Sequence, residues 1–586
     1  MKFLGNVVAT VVGLMLFMIL GFLGLLVLGA LLGGNGDKTI VESNSVLELK
    51  LDGITNDYGG KFSDPAIGFF SKGDEIGIID ILNAIDAAKS DDNIKGISIL
   101  NSNSATGLAQ SKAIRDALIA FKKSGKFVVS YANVFTQNEY YINSVADTIY
   151  LNPVGDMEFK GLSSEALFFK DFQDKTGINV EVIRHGKYKS AVEPFLQNSM
   201  SESNREQITS LLNSVWSSYV QDISESRRIS VVRLNEIANG LLARTPEMAK
   251  AEKLVDRIAY EDEFHNGIRK ALGVDKDEKY HKVDIRDYAQ NVAKSPKNAG
   301  ESDKIAIIYA QGNILSGEGS VNTIGEESMR RSLQEARNDD DVKAIVLRVD
   351  SPGGSALTSD LIWREIELTK KVKPVITSMG NTAASGGYYI ACNSDQIFAE
   401  KNTITGSIGV FGILPNFSQL ATKMGIHAEQ VNTHENAANY SLFLPLDPKV
   451  ETVLQEGVEH IYTVFVNRVA EGRKMSFAEV DSIAQGRVWT GEEAKKIGLV
   501  DQIGGLDAAL KYAASAAKIK KYRTQDFPKY NTTLGEFFGL SPFMQTKEEL
   551  IREQVGEENY KIIEHLRKVN ALRGTQALLP FELIIM

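Results

Sequence analysis

An internal duplication restricts the fold of this chain more than any other feature of its sequence. The segment DDNIKGISIL at 91–100 aligns with DDDVKAIVLR at 339–348, an offset of 248 residues. The same offset aligns YYI at 140–142 with YYI at 388–390, and the register holds without a gap to about residue 190. Repeats of this length indicate two homologous units that fold alike.

Each unit alternates short apolar runs with amphipathic helical patterns. In the second unit KAIVLRVD and PVITSMG have the composition of strands, and ESMRRSLQEARN has helical spacing. Such alternation predicts an α/β fold with parallel strands and crossover helices, followed in each unit by a long helical appendage. The predicted organisation is an anchor at 1–33, a linker at 34–45, an N-terminal repeat at 46–290, a linker at 291–304, a C-terminal repeat at 305–525 and a tail at 526–586.

Composition excludes several classes of function. The formal net charge is -10, and an excess of acidic residues does not favour binding to the phosphates of a nucleic acid. Nucleic acid is therefore not an expected partner. Cys392 is the only cysteine, which rules out an intrachain disulfide and favours a packed core thiol. The seven histidines lack the spacing of metal ligands. We therefore expect neither metal nor other cofactor.

A long apolar run near the start predicts a membrane anchor. Val7–Leu32 contains no charged residue, and it exceeds the ~20 residues that cross a ~30 Å hydrocarbon layer. An uncleaved anchor is favoured over a signal peptide, although cleavage near Ala30 is the alternative. Lys2 precedes the run, whereas Asp37 and Glu42 follow it. This order predicts that the body lies outside the cytoplasm.

A candidate nucleophile stands out when the two copies are compared. Ser385 lies in AASGG, where an apolar strand turns into a helix, and the unpaired amides and the dipole at a helix N-terminus favour developing negative charge. The amides of Gly386 and Gly354 can form an oxyanion hole, because glycine lets the backbone approach a carbonyl closely. The first copy has Gln137 and Asn138 in place of Ser385 and Gly386.

The candidate base occurs in the opposite copy. Lys189 in HGKYKSAVEPF corresponds to Ala437 of the second copy, and burial could depress its pKa enough for it to act near neutral pH. Lys187 lies two residues earlier and is the competing base. A Ser/His/Asp triad built from His185 or His434, with Asp350 as orienting acid, is a further alternative. Asp350 itself is expected to cap the turn at 350–354.

The motifs DSPGGS, NTAASGGYYIA, TGSIGVFG and GKYKSAVEPF together resemble those of signal peptide peptidase A in its long, duplicated form. The resemblance spans roughly residues 46–520. It implies tandem units of repeated ββα elements, similar to the Clp protease and crotonase group. It also implies Ser385 as nucleophile, Lys189 rather than Lys187 as base, and Gly386 and Gly354 as oxyanion donors.

The same resemblance implies cleavage of released signal peptides in a bacterial inner membrane, with the catalytic body on its outer side. Peptide substrates, membrane lipid and three further copies of the chain, forming a homotetramer, are the implied partners. Two other functions remain open. A crotonase-like acyl-CoA enzyme would also use glycine turns, and a catalytically silent membrane scaffold would need neither Ser385 nor Lys189. The tail ending ALLPFELIIM is expected to pack on the body, contact a neighbour or resemble a substrate.

Overall fold

A computed structural model describes part of the chain, namely residues 10, 12–18, 20, 21, 24, 39–62, 76–100, 105–276, 278–294, 298, 300–437, 440–530 and 575–578. Most of the predicted anchor therefore lies outside the described residues. Within the part that is described, no helix combines the length and the apolar character that a membrane crossing requires.

The first unit alternates strands with helices, as its sequence pattern predicts. Its strands are β1 (Ser45–Leu49), β2 (Lys61–Phe62), β3 (Ile94–Ile99), β4 (Phe127–Phe135), β5 (Thr148–Met157), β6 (Asn179–His185), β7 (Arg257–Ile258) and β8 (Lys282–Asp284). Its helices are α1 (Ile78–Ala88), α2 (Leu108–Lys122), α3 (Gln137–Asn143), α4 (Lys170–Thr176), α5 (Glu193–Leu196), α6 (Glu202–Arg227), α7 (Val231–Gly240), α8 (Pro246–Ala251), α9 (Glu261–Leu272) and α10 (Ile285–Lys294). Six strands form a parallel sheet in the order β7-β5-β4-β3-β1-β8.

The second unit repeats this plan. Its strands are β9 (Lys304–Gln311), β10 (Asn313–Leu315), β11 (Gly319–Ser320), β12 (Thr323–Gly325), β13 (Val342–Ser351), β14 (Gly353–Ser355), β15 (Val375–Ala384), β16 (Gln396–Ala399), β17 (Ile404–Gly406), β18 (Val410–Asn416), β19 (Val488–Thr490), β20 (Gln502–Ile503), β21 (Arg523–Phe527), β22 (Lys529–Tyr530) and β23 (Thr575–Leu578). Its helices are α11 (Glu326–Asn338), α12 (Ala356–Lys370), α13 (Gly386–Ala391), α14 (Ser418–Lys423), α15 (Pro448–Arg473), α16 (Phe477–Ile483), α17 (Gly491–Lys496) and α18 (Leu506–Ala516). The predicted α/β fold of two repeated units is thereby confirmed.

The central strands of the second unit are apolar throughout because both faces of their sheet are covered. In β9, Ala306 and Ile308 pack into one hydrophobic cluster, whereas Ile305 and Ile307 pack into another on the opposite face. Side chains alternate between the two faces of a strand, so a doubly covered strand reads as a continuous apolar run. The eight-stranded sheet has β19-β17-β15-β13-β9-β21 as its main path, and β16 and β20 join it through β15.

A third sheet joins the two units. Its order is β11-β12-β10-β14-β23-β18-β6, so it combines one strand of the first unit with six strands from the second half of the chain. β6 pairs antiparallel with β18 along its whole length, from Asn179 opposite Asn416 to His185 opposite Val410. This ladder carries the end of β6, and the segment that follows it, into the second unit.

Candidate active site

Ser385 occupies a sharp turn between β15 and α13. Its backbone has φ 56° and ψ -116°, a conformation that costs a non-glycine residue conformational energy and is characteristic of functional sites. The amide of Ser385 donates to the carbonyl of Gly406 at 2.8 Å, and its own carbonyl accepts from the amide of Tyr389 at 2.8 Å. These bonds fix a turn from which the hydroxyl projects, although the side chain is fully buried.

Lys189 brings its amine to this hydroxyl from the other unit. Residues 186–188 connect β6 to Lys189, which immediately precedes a short 3₁₀ turn at Ser190–Val192. Nζ of Lys189 lies 2.8 Å from Oγ of Ser385. The amine also donates to the carbonyl and to Oγ of Ser407, at 3.1 Å and 2.9 Å. Three oxygen atoms therefore surround a single nitrogen.

The surroundings of Lys189 favour its neutral form. The residue is completely buried, and burial holds the pKa of its amine well below the ordinary lysine value. Among the described residues no carboxylate forms an ion pair with it, and the ring of Phe411 has its centroid 5.9 Å from Nζ. A desolvated amine without a counter-charge can accept a proton from a hydroxyl at neutral pH.

A loop of the second unit holds both Lys189 and Ser407 in place. The carbonyl of Arg487 accepts from the amide of Ser407 at 2.7 Å, and the carbonyl of Gln485 accepts from the amide of Tyr188 at 2.9 Å. Between these two carbonyls, Gly486 has φ 81°, and a Cβ there would lie 2.6 Å from the backbone nitrogen of Lys189. Only glycine permits this close approach of the two backbones.

The two glycines expected to donate to an oxyanion lie on neighbouring elements. Gly386 is the first residue of α13, where an amide has no acceptor within its own helix. Gly354 lies in β14 with φ 155°, and a Cβ on it would lie 2.1 Å from the carbonyl oxygen of Ile314. The close packing against β10 thus accounts for glycine at 354 independently of any catalytic role.

The competing bases occupy other environments. Lys187 is exposed, and its amine lies 4.8 Å from the ring centroid of Tyr188. Nδ1 of His185 lies 2.6 Å from a carboxylate oxygen of Glu459, and the exposed His434 contacts Thr433.

Cys392 is fully buried, and burial raises the pKa of its thiol to about 12.

Asp350 has a different role from the one expected. Its carboxylate accepts from the amide of Thr382 at 2.8 Å and from the side-chain amide of Asn381 at 3.0 Å. The turn is capped instead by Ser351, whose hydroxyl accepts from the amide of Gly353 at 3.1 Å. The expectation that Asp350 caps this turn is therefore wrong. Burial, and then the nearby charge of Asp57, raise the pKa of Asp350 to about 7.

Ser407 is the site residue that the sequence reasoning missed. It lies in TGSIGVFG, which was recognised only as a motif. The comparison between copies that singled out Ser385 would also have found it, because the offset of 248 sets Ser407 against Phe159.

Within the described chain, no group of three or more His, Cys, Asp or Glu side chains is arranged to hold a metal ion.

Comparison with known proteins gives consistent matches along the chain. A model of peptidase family S49 matches residues 120–275 and again residues 367–520. Protease 4 of Haemophilus influenzae is 37% identical over 509 residues, which cover 84% of this chain and 83% of that protein. The chloroplastic serine protease SPPA of Arabidopsis thaliana is 32% identical over 508 residues, covering 84% of this chain and 73% of the relative. The putative signal peptide peptidase SppA of Enterococcus faecium is 37% identical over 220 residues, 36% of this chain and 63% of that protein.

This chain has a duplicated α/β fold, and it matches known proteases over most of its length. It is therefore a serine protease. The chain belongs to peptidase family S49, and both of its units contribute to the match. The family resemblance predicted from the motifs is thus confirmed, whereas the relation to the Clp protease and crotonase group stays a prediction.

Proposed function

We propose that the protein is a membrane-anchored endopeptidase with Ser385 as nucleophile and Lys189 as general base. The neutral amine of Lys189 takes the hydroxyl proton while Oγ of Ser385 attacks the peptide carbonyl. The resulting ammonium then gives this proton to the departing amine. In the second step Lys189 deprotonates a water molecule that attacks the acyl carbonyl, and the ammonium returns the proton to Oγ of Ser385 as the ester bond breaks. The observation that carries the proposal is the 2.8 Å separation of Nζ and Oγ in a fully buried site.

The neighbouring groups have distinct parts in this mechanism. The amides of Gly386 and Gly354 stabilise the negative charge that develops on the carbonyl oxygen. Ser407 accepts two hydrogen bonds from the amine of Lys189, and these bonds orient the lone pair of that amine toward Ser385. Ser407 is thus a positioning residue. It also stabilises the ammonium formed during the reaction.

The proposed substrates are signal peptides already released into the membrane. Support comes from the motifs of the sequence and from the relative described as a putative signal peptide peptidase. The uncharged run Val7–Leu32 supports an anchor. Lys2 before it, with Asp37 and Glu42 after it, supports a body on the outer side of a bacterial inner membrane. We include a homotetramer in the proposal on the basis of the motif resemblance.

A fluorophosphonate probe tests the catalytic assignment in detergent-solubilised protein. We expect labelling of the wild type and loss of labelling in Ser385→Ala and Lys189→Ala. Lys189→Arg should also be inactive, because a guanidinium does not deprotonate near neutral pH. The matched control is Lys187→Arg, which should label like the wild type. Equal labelling of all variants would discard the assignment.

Three further measurements test the location, the assembly and the substrates. The protein should sediment with membranes and be released by detergent but not by high salt, and light scattering of the solubilised protein should give four times the mass of one chain. Ser385→Ala cells should accumulate released signal peptides that wild-type cells degrade. Recovery in the salt wash, or a monomer mass, would remove the anchor or the tetramer from the proposal.

A further inference from the structure

Helix α6 of the first unit contacts the part of the second unit that supports the base. Oγ of Ser214 lies 2.9 Å from Oγ1 of Thr490 in β19, and Oγ of Ser210 donates to a carboxylate oxygen of Glu493 at 2.8 Å. Gln207 precedes Ser210 by about one turn and lies on the same face of the helix. Unlike the two serines, it is almost completely buried.

The side-chain amide of Gln207 bonds to both neighbours of Lys189. Its Nε2 donates to the carbonyl of Tyr188 at 3.0 Å and to Oγ of Ser190 at 2.8 Å. Its Oε1 accepts from the amide of Val488, in β19, at 3.4 Å. Because β19 directly follows the loop that holds the base, one side chain connects the segment of Lys189 with the end of that loop.

Lys189 has long hydrogen bonds at both of its own main-chain groups. Its amide donates to the carbonyl of Gly186 at 3.3 Å, and its carbonyl accepts from Nη1 of Arg184 at 3.5 Å. Both distances exceed the ~3.2 Å upper end of the usual range. The position of Lys189 therefore depends on the residues before and after it, and Gln207 bonds to both of them.

A buried polar network fixes the orientation of Gln207. Oγ of Ser190 donates to Oδ1 of Asn204 at 2.9 Å, and Nδ2 of Asn204 donates to a carboxylate oxygen of Glu193 at 2.8 Å. Nε2 of Gln207 lies 3.1 Å from the same Oδ1. All four residues are at most 5% exposed. A buried network whose members are satisfied specifies one arrangement, so the amide of Gln207 has little freedom to turn away.

The neighbouring Glu206 makes a weaker connection between the same parts of the molecule. Its carboxylate accepts from Nη1 of Arg487 at 2.9 Å and from the hydroxyl of Tyr188 at 3.2 Å. The side chain of Glu206 is 54% exposed, and ion pairs in contact with water contribute little to stability. The buried amide of Gln207 is therefore the stronger of the two connections.

We propose that Gln207 is a positioning residue, which holds the main chain on both sides of Lys189 and thereby keeps Nζ within reach of Oγ of Ser385. This inference rests on the proposed roles of Lys189 and Ser385. A displacement of about 1 Å in a reacting group slows a reaction strongly. Loosening the segment also admits water to the amine, and this weakens the desolvation that lowers its pKa.

The test compares Gln207→Met with Ser214→Ala in the full-length, detergent-solubilised protein. Methionine has a similar length to glutamine but no amide donor. We expect kcat for a quenched apolar peptide to fall about tenfold to a hundredfold, with KM changed less than twofold. The ascending limb of the pH profile of kcat should move to higher pH, because a more hydrated amine binds its proton more tightly. Ser214→Ala removes another contact of α6 with β19, and it should leave kcat and this limb unchanged.

Gln207→Glu is a second variant that keeps the shape of the side chain. At neutral pH its carboxylate accepts from Val488 but has no proton for the carbonyl of Tyr188. It should therefore lower kcat as well, and its negative charge should move the limb further toward higher pH. A limb that stays in place in both variants of Gln207, or a change in KM alone, would overturn the proposal.

Hydrogen exchange provides a readout that does not depend on catalysis. In a Ser385→Ala background, adding Gln207→Met should speed exchange about tenfold or more at the amides of 188–190 and 488, whereas adding Ser214→Ala should not. Unchanged protection with Gln207→Met would also refute the positioning role. Absence of fluorophosphonate labelling in the wild type and in every variant would instead reject the peptidase function, and the exchange result would still decide whether Gln207 holds the segment.

Discussion

The buried amine of Lys189 links the stability of the protein to pH. In the folded state its pKa lies well below the ordinary value because of burial, whereas in the unfolded chain it returns to about 10.4. Between these two values the unfolded chain binds the extra proton. The free energy of unfolding contributed by this residue therefore rises with pH through the window and is smallest at its acidic end.

We predict that Lys189→Met removes this dependence. Methionine has a similar length but no ionisable group, so the variant should lack a contribution of up to about 1.4 kcal/mol per pH unit below pH 10. Urea unfolding of both proteins between pH 7 and pH 10 measures the difference in slope. The variant should be inactive, yet at least as stable as the wild type at pH 7. Parallel stability curves for the two proteins would show that the amine is not desolvated.

Ser407→Ala tests the positioning of the amine. The change removes one of the two acceptors on Ser407 and leaves the carbonyl in place. We expect kcat to fall about tenfold to a hundredfold, because misplacing a reacting group has a cost of this order. A hydrogen bond from an ammonium is stronger than one from a neutral amine. Losing this hydrogen bond favours the neutral form of Lys189, so the ascending limb of the pH profile of kcat should move to lower pH. A limb that stays in place would indicate a structural role alone.

At the scale of elements, one unit caps a helix of the other. The side-chain oxygen of Asn381, at the end of β15, accepts from the amides of Ala109 and Gln110, both at 3.1 Å. These are first-turn donors of α2, the kind that an N-cap side chain normally satisfies. Gly107, which occupies the N-cap position, has no side chain to do so. The cap therefore also fastens the two units together next to Ser385.

Asn381→Ala should lower the free energy of unfolding by about 1 to 2 kcal/mol, the usual cost of losing an N-cap. The matched control is Ser201→Ala, which removes the cap of α6 within a single unit. Both should lose comparable stability, but only Asn381→Ala should also reduce peptidase activity, because Asn381 donates to Asp350 between the strands that lead to Gly354 and Ser385. Wild-type stability in Asn381→Ala would contradict this role.

The sequence predicts the elements better than it predicts the connections between units. Local patterns suffice for α6 and α15, two helices of 26 residues that occupy corresponding places in the repeat. The ladder between β6 and β18 joins segments more than 200 residues apart, and no periodicity within either segment identifies its partner. The pairing of Ser385 with a lysine of the opposite copy could be inferred because each copy had lost what the other kept, whereas the choice of Lys189 over Lys187 rested on the family resemblance. No such asymmetry marks the insertion of β23 beside Gly354.

For the whole molecule, a buried ion pair holds the two units together. Nε of Arg348 in β13 donates to a carboxylate oxygen of Asp57 at 2.7 Å, and the side chains are only 5% and 1% exposed. Gln110 also donates to Asp57, and Arg348 also donates to Ser378. Removing one member of such a pair leaves the other charge buried and unpaired.

Arg348→Met should therefore cost about 3 to 5 kcal/mol of unfolding free energy. Asp57→Asn leaves the guanidinium with neutral acceptors and should cost a comparable amount. The double variant should be more stable than the sum of the two changes predicts, by about 1 to 3 kcal/mol. Urea unfolding of the four proteins completes this cycle. Strict additivity would mean that the two side chains contribute independently.

The division of the site between the units has a consequence for synthesis. Lys189 precedes Ser385 by 196 residues, and Ser407 and Gly486 follow later still. A ribosome builds the chain from its amino end. A nascent chain therefore first contains Lys189 without Ser385, and later contains both residues without the loop that holds Lys189 in place. In the proposed mechanism the hydroxyl is activated only after the loop at 485–487 has been made and packed. The proposed protease is thus expected to stay inactive during its own synthesis until this loop has been translated.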